Sequence, residues 1–289
     1  MKQLIHLIST LRSIGRSPWA LAVCLATLGL GLSATADAPR RTFITSTPQA
    51  PPQVQYMVIE LGGRRANDIS ESGQIVGNKD FAPELYHAAF WASNQGAPID
   101  LGTLPGLRST AVGMNPRREI VGFALNEDAS VELPLFWASP NSAPVELPGL
   151  PAGLFSEVYS INPSGQIVGM FYSEDFSVER AVFWASSSSQ AVILSTVGEF
   201  TNAVAAGISD NGQIVGIGYN EDFSKQRPFL WLSATSQGID LTTFFPAGSN
   251  WDLDSMFAVT VNDRGEIVGS GLFTDGTVHN FVLIPVHGH

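Results

Sequence analysis

An all-β repeat architecture is the fold class that three observations predict. A four-residue phrase recurs five times: Gln74-Ile75-Val76-Gly77 returns as Glu119-Ile120-Val121-Gly122, Gln166-Ile167-Val168-Gly169, Gln213-Ile214-Val215-Gly216 and Glu266-Ile267-Val268-Gly269. Its Ile positions lie 45, 47, 47 and 53 residues apart, a period at which each repeat is one supersecondary unit. The apolar runs are four to seven residues long and end on Gly, Pro, Asn, Asp or Ser. Beyond residue 36 no segment keeps apolar residues at helical spacing, so the runs read as strands.

Residues 1–36 read as a signal peptide. Lys2, Arg12 and Arg16 precede the apolar run Trp19 to Leu32, and Ala34-Thr35-Ala36 supplies a small-x-small cleavage pattern. A membrane anchor over the uncharged stretch from Ser17 is the alternative. Cleavage would leave 12 Lys and Arg against 26 Asp and Glu and remove Cys24, the single cysteine. Such an acidic chain lacks the basic clusters that nucleic acid requires, and it offers no disulfide or thiolate ligand. A secreted or periplasmic monomer, free of the membrane after cleavage, is expected. Residues 37–55, rich in Pro, Thr and Ala, read as a flexible leader.

Each repeat carries four strand-like pieces, clearest in the third. Val145-Glu146-Leu147 comes first, then Val158 to Ile161, then Gln166 to Tyr172, then Arg180 to Trp184. The turn Asn162-Pro163-Ser164-Gly165 joins the second piece to the third, its Asn bonding its own backbone and its Gly free to take positive φ. The other turns are Ser70 to Gly73, Asn115 to Arg118, Ser209 to Gly212 and Asn262 to Gly265, so Arg118 alone departs from Gly. Fourth pieces are Ala89-Phe90-Trp91, Leu135-Phe136-Trp137, Phe229-Leu230-Trp231 and Asn280-Phe281-Val282. Tight turns favour antiparallel hairpins over the coils of a β-helix. The expected fold is therefore a five-bladed β-propeller of four-stranded antiparallel blades.

Cut at the first piece, with Tyr56 to Gly63 opening the series, the units fall at about 56–94, 98–140, 144–189, 191–234 and 238–284, leaving 285–289 as a tail. The ring is then expected to close through side chains, without a shared strand. A Trp or Phe from each fourth strand is expected between neighbouring blades.

The pattern Ile/Val-Asn-x-x-Gly-Gln-Ile-Val-Gly, followed by His87-Ala88-Ala89-Phe90-Trp91 and Asp100-Leu101-Gly102-Thr103-Leu104, resembles the bacterial extracellular HAF repeat. His279-Asn280-Phe281 keeps the His, whereas Leu133, Arg180 and Arg227 stand near its place elsewhere. The resemblance covers all five units. It implies a repeat fold and secretion, and no established activity.

Two groups of residues are candidates for chemistry. Glu127-Asp128, Glu174-Asp175 and Glu221-Asp222 sit between the third and fourth strands of three units, which would gather carboxylates on one rim. Ca²⁺ is the cofactor such oxygen-rich loops would suit, although the alternating Asp/Asn spacing of a calcium loop is missing, and a plain polar turn accounts for the same residues. The longest unit alone carries an aromatic, acidic loop with Phe244, Phe245, Trp251, Asp252 and Asp254. Loops that break a repeat often carry function. The functional expectation is a binding or structural module for a protein or carbohydrate. A hydrolase or lyase using pore carboxylates is the alternative. His87 and His279 read as blade-edge hydrogen bonders, and no Gly-x-Ser-x-Gly elbow occurs.

Overall fold

The computed structural model describes Leu61 and residues 64–82, 85–93, 96–127, 130–150, 155–173, 175 and 177–286. The expected signal peptide, the leader, most of the strand expected from Tyr56 and the end of the tail lie outside these residues.

The strands form successive antiparallel sheets. Sheet 1 is β1 (Arg65–Ile69), β2 (Ile75–Ala82), β3 (Leu85–Trp91) and β4 (Ile99–Gly102). Sheet 2 is β5 (Arg108–Met114), β6 (Ile120–Leu125), β7 (Glu132–Trp137) and β8 (Val145–Glu146). Sheet 3 is β9 (Phe155–Ile161), β10 (Ile167–Tyr172), β11 (Glu179–Trp184) and β12 (Val192–Ile193). Sheet 4 is β13 (Phe200–Ile208), β14 (Ile214–Asn220), β15 (Gln226–Trp231) and β16 (Ile239–Asp240). Sheet 5 has β17 (Trp251–Val261), β18 (Ile267–Phe273) and β19 (Val278–Leu283). One parallel pair, Gln226 with Ser255, joins β15 to β17, so sheets 4 and 5 share a hydrogen-bonded network.

The pairing corrects the strand order expected from the sequence. Val145–Glu146 does not open the third sheet; it pairs with Leu135 and Phe136 as the outer strand of the second. Ile99–Gly102, Val192–Ile193 and Ile239–Asp240 likewise complete the sheets before them. The repeat is the same, but the sheets begin one strand later than the units were cut. A periodic sequence has no preferred cutting point, and only hydrogen bonding chooses one. The fifth fourth-strand alignment also moves. Ile75, Ile120, Ile167 and Ile214 pair with Trp91, Trp137, Trp184 and Trp231, whereas Ile267 pairs with Leu283. Leu283 therefore stands in the Trp place, two residues beyond Phe281.

Alternation along a strand sends neighbours to opposite faces, so each Ile-Val and each Phe-Trp pair makes its sheet apolar on both sides. Val76, Ala88, Phe90 and Leu101 of sheet 1 pack on Ala111, Ile120, Leu135 and Trp137 of sheet 2. Val121, Phe136 and Leu147 pack on Val158, Ile167, Val182 and Trp184 of sheet 3. Val168, Phe183 and Leu194 meet Ala203, Ile214, Phe229 and Trp231, and Val215 and Leu241 meet Ala258 and Ile267. The indoles act as expected, packing between sheets. Trp137, Trp184 and Trp231 also donate Nε1–H to the carbonyls of Leu101, Pro148 and Ser195, at 2.7, 2.9 and 2.7 Å, on or just past the preceding sheet's outer strand.

The Gly of the repeated phrase answers to this geometry. Each innermost strand bulges by one residue (Asn67, Val112, Tyr159, Ala206 and Val259), and the register slips there. Just before the bulge a carbonyl leans onto the neighbouring strand. A Cβ on Gly77, Gly122, Gly169, Gly216 or Gly269 would lie 1.9 to 2.3 Å from that oxygen. The turn glycines have another reason, positive φ. Arg118 takes φ 63° in the same turn where Gly165 takes 82°, so that hairpin keeps its geometry and bears the strain of a side chain there.

These two reasons separate experimentally. Gly169→Ala is expected to cost about 2–3 kcal/mol because backbone must move to admit the methyl. Gly73→Ala, with open space around it, should cost about 1 kcal/mol from the left-handed backbone alone. Urea unfolding of both variants measures the difference, and equal losses would refute the packing explanation.

Candidate functional site

The irregular loop of the fifth sheet is organised by an arginine. Asp240 starts the short 3-10 turn η1 (Leu241–Phe244), its Oδ1 accepting from Thr242 N at 2.9 Å. Its Oδ2 accepts from Arg227 Nη1 at 2.9 Å, while Asp254 Oδ1 accepts from Arg227 Nε and Nη2 at 2.9 and 2.6 Å. Arg227 thus clasps both ends of the loop, and its guanidinium lies 5.1 Å from the Phe200 ring centroid.

Between those ends the aromatics converge. Phe245 meets Trp251 and Phe281 edge-on at 5.6 and 5.2 Å, and Trp251 meets Phe273 at 4.8 Å. His279 stacks on Phe273 at 3.6 Å and donates to or accepts from Thr277 Oγ1 at 2.9 Å. These rings are half-buried, and edge-to-face contacts of this kind add to packing. Phe244 stands apart at the tip, 64% exposed. Asp252 is exposed, its Oδ1 accepting only from Asp254 N at 3.2 Å among the described hydrogen bonds. Of the five residues singled out in the sequence, Phe245 and Trp251 are brought together. Asp254 is committed to Arg227, and Phe244 and Asp252 face solvent.

The acidic turns are largely self-contained. Asp175 Oδ1 accepts from Ser173 Oγ, Ser177 Oγ and Ser177 N at 2.7, 2.7 and 3.0 Å, which takes its carboxyl down to about 2. Asp222 Oδ1 accepts from Ser224 Oγ and N at 2.7 and 3.1 Å and is lowered for the same reason. Glu127 lies 3.8 Å from Arg108, and Glu221 is exposed. Asp128 and Glu174 are outside the described residues. Among the described residues no three His, Cys, Asp or Glu side chains are grouped to hold a metal ion. His87 Nδ1 lies 3.0 Å from Asp100 Oδ1, across the outer strand pair of sheet 1.

Sequence reasoning missed a buried carboxyl cluster between sheets 2 and 3. Glu132 opens β7 and Tyr172 ends β10, so the Tyr172 hydroxyl of one sheet donates to Glu132 Oε2 of the other. Glu157 lies alongside in hydrogen-bonding reach of Glu132 and accepts from Tyr159 Oη, on the bulge, at 2.6 Å. Burial first, then the Glu157 charge, pushes the Glu132 carboxyl well above its ordinary range, against the Tyr172 hydrogen bond. Burial and Glu132 push the Tyr172 hydroxyl up as well. The legible signal was a Glu five residues before the strand's Trp, at Glu132 and again at Glu179. Two carboxyls this close can share a proton, yet they are nearer than the roughly 5–10 Å that glycoside hydrolysis requires.

No family model and no curated protein matches this chain, so the resemblance to HAF repeats rests on its motif residues. Solved structures do resemble it. A mutant of AofleA from Arthrobotrys oligospora is 13% identical over 75% of this chain and 67% of that one, with a TM-score of 0.41. The β-propeller domain of the Trilobed protease from Pyrococcus furiosus is 12% identical over 78% and 82%, with a TM-score of 0.36. Hadza microbial sialidase Hz136 is 9% identical over 75% of this chain, TM-score 0.44; the chain spans 55% of that protein's length. The similar structures are β-propeller proteins, and four-stranded antiparallel sheets such as this chain's are the usual make-up of propeller blades.

The Glu132 cluster has a pH signature. In the unfolded chain Glu132 ionises at the ordinary carboxylate pKa, whereas in the fold it stays protonated to higher pH. Its contribution to stability is whole below the ordinary value and is lost as pH rises towards the folded-state pKa. The melting temperature should fall across that window, and Glu132→Gln should flatten the fall and be the more stable protein at neutral pH. Calorimetry at a series of pH values tests this; identical pH slopes in the two proteins would refute it.

Proposed function

We propose that this chain is a secreted binding module, a five-bladed β-propeller whose 244–254 loop takes a carbohydrate. The observation that carries the reading is the exposed Phe244 on the loop whose next residue, Phe245, packs on Trp251, with the exposed Asp252 on the same segment. An aromatic face gives a sugar ring an apolar platform, and a carboxylate accepts from its hydroxyls. Large exposed aromatics on loops held by a rigid scaffold are the usual anchors of recognition. Arg227 supplies the rigidity here, because it ties Asp240 and Asp254 to one guanidinium. A signal peptide over residues 1–36 would carry the module out of the cytoplasm.

Calorimetric titration against a panel of soluble polysaccharides is the direct test. At least one is expected to bind, with Phe244→Ala weakening it about tenfold, or about 1.4 kcal/mol, and leaving the melting temperature unchanged. Asp252→Asn should weaken it in the same direction. Binding that is indifferent to Phe244, or no binding across the panel, would overturn the reading.

A further inference from the structure

The seams between sheets are tied at one repeated position, five residues before each strand's Trp. There Glu132 of sheet 2 accepts from the Tyr172 hydroxyl of sheet 3. The backbone N–H of Glu179 donates to Asn202 Oδ1 of sheet 4 at 2.9 Å, and Gln226 Nε2 donates to the Ser255 carbonyl of sheet 5 at 2.9 Å. In sheet 1 the position belongs to Tyr86, and Arg108 of sheet 2 reaches it. These two make a ring contact, the guanidinium carbon lying 5.7 Å from the ring centroid. Among the described residues the Tyr86 hydroxyl has no hydrogen-bond partner.

Arg108 is an unusual residue for its place. It opens β5 opposite Leu125, whereas Phe155 opens β9 opposite Tyr172 and stacks on that ring at 5.4 Å. The Arg108 side chain is 22% exposed, and Glu127, its ion-pair partner, is 84% exposed and 3.8 Å away, too far for a hydrogen bond. Among the described residues its N–H groups make no hydrogen bond, and charged donors left unmade in a half-buried place are costly.

Arg64 brings a second guanidinium to the same ring, at 4.9 Å. Asp80 Oδ1 accepts from Arg64 Nε at 2.6 Å, and among the described residues the Arg64 Nη groups stay open. Burial, helped by Glu132, raises the Tyr86 hydroxyl above its usual range, while Arg108, Arg64 and Arg65 pull it down. Three positive charges therefore bear on one phenol.

We propose that Arg108, Tyr86 and Arg64 form an oxyanion site at the seam of sheets 1 and 2, which takes a carboxylate or sulfate group. A guanidinium offers paired N–H donors to two oxygens of such a group, and the Tyr86 hydroxyl adds a further donor beside them. The bound group satisfies the Arg108 donors that the fold leaves unmade. The chain carries a net charge of −11 and gives anions no general attraction, so capture depends on these side chains. The site shares no residue with the 244–254 loop and stands or falls apart from the carbohydrate reading of it.

Thermal unfolding in sodium sulfate, against sodium chloride of equal ionic strength, reads the site. At ten times its Kd, sulfate should raise the melting temperature of the parent by about 3 °C more than that of Arg108→Gln. Tyr86→Phe should lose part of the rise, and Arg264→Gln, which removes an exposed arginine of sheet 5, should keep it. Each comparison is an increment within one variant, so a lower starting stability does not mask the result. Should Arg108→Gln fail to fold, the Tyr86→Phe increment decides alone. Equal increments in the parent and Arg108→Gln, or the same loss in Arg264→Gln, would overturn the site. Retention on dextran sulfate but not dextran, lost in Arg108→Gln, would assign a polymer-borne group. A response to sulfate ion without retention would assign a free anion to the same site.

Discussion

Two-faced sheets are the constraint on which the rest of this structure depends. A strand that reads Ile-Val or Phe-Trp presents large apolar groups to both sides, and neither side can be hidden within one hairpin. Sheets 2 to 4 are therefore sandwiched, with Val covered by the sheet that follows and Ile and Trp covered by the sheet before. The four fully buried indoles, Trp91, Trp137, Trp184 and Trp231, show how completely this is achieved. Their Nε1–H groups would be costly to bury alone, and each is spared by a carbonyl on or just past the preceding outer strand or, for Trp91, by Leu61. Packing and polar satisfaction thus depend on the same neighbour.

Close backbone approach follows from the same demand. The bulged inner strands lean a carbonyl onto the sheet's second strand, and only Gly leaves room for it. The glycine that ends the repeated phrase is therefore a spacer between strands, whereas the glycine of the turn is a conformational device. Arg118 separates the two roles, since it keeps the turn's left-handed geometry without being Gly. No side chain could stand in the strand position without displacing backbone.

The places where the repeat is broken are chemically distinct from the places where it is kept. The acidic turns recur, and Asp175, Asp222 and Asp275 each accept from the Ser or Thr two residues on. Arg227 has no such local partner and reaches 27 residues ahead to Asp254, fixing a loop that the other sheets lack. The Glu132–Tyr172 contact also crosses sheets, and its burial makes it a store of pH sensitivity in a packed interior. Phe244 and Asp252, in the loop that Arg227 fixes, remain open to solvent.

Local order was legible from the residues alone. The five-fold phrase, the Asn-x-x-Gly turns and the Ile-to-Trp spacing specify hairpins whose register is set within about twenty residues, and alternation assigns a face to every side chain. The unusual loop was equally visible, since it interrupts a regular period. Tertiary structure decided what no local pattern encodes. It decided that Val145–Glu146 belongs to the sheet before it, because a short strand flanked by loops can pair either way until a neighbouring edge accepts it. It decided that Asp254 of the fifth sheet serves Arg227 of the fourth, while Phe245 of the loop and Trp251 find Phe281 within the fifth. It also decided that Glu132 and Glu157 lie together out of water. A glutamate reads the same in sequence whether exposed or buried, and only the packing of one sheet on another removes its solvent.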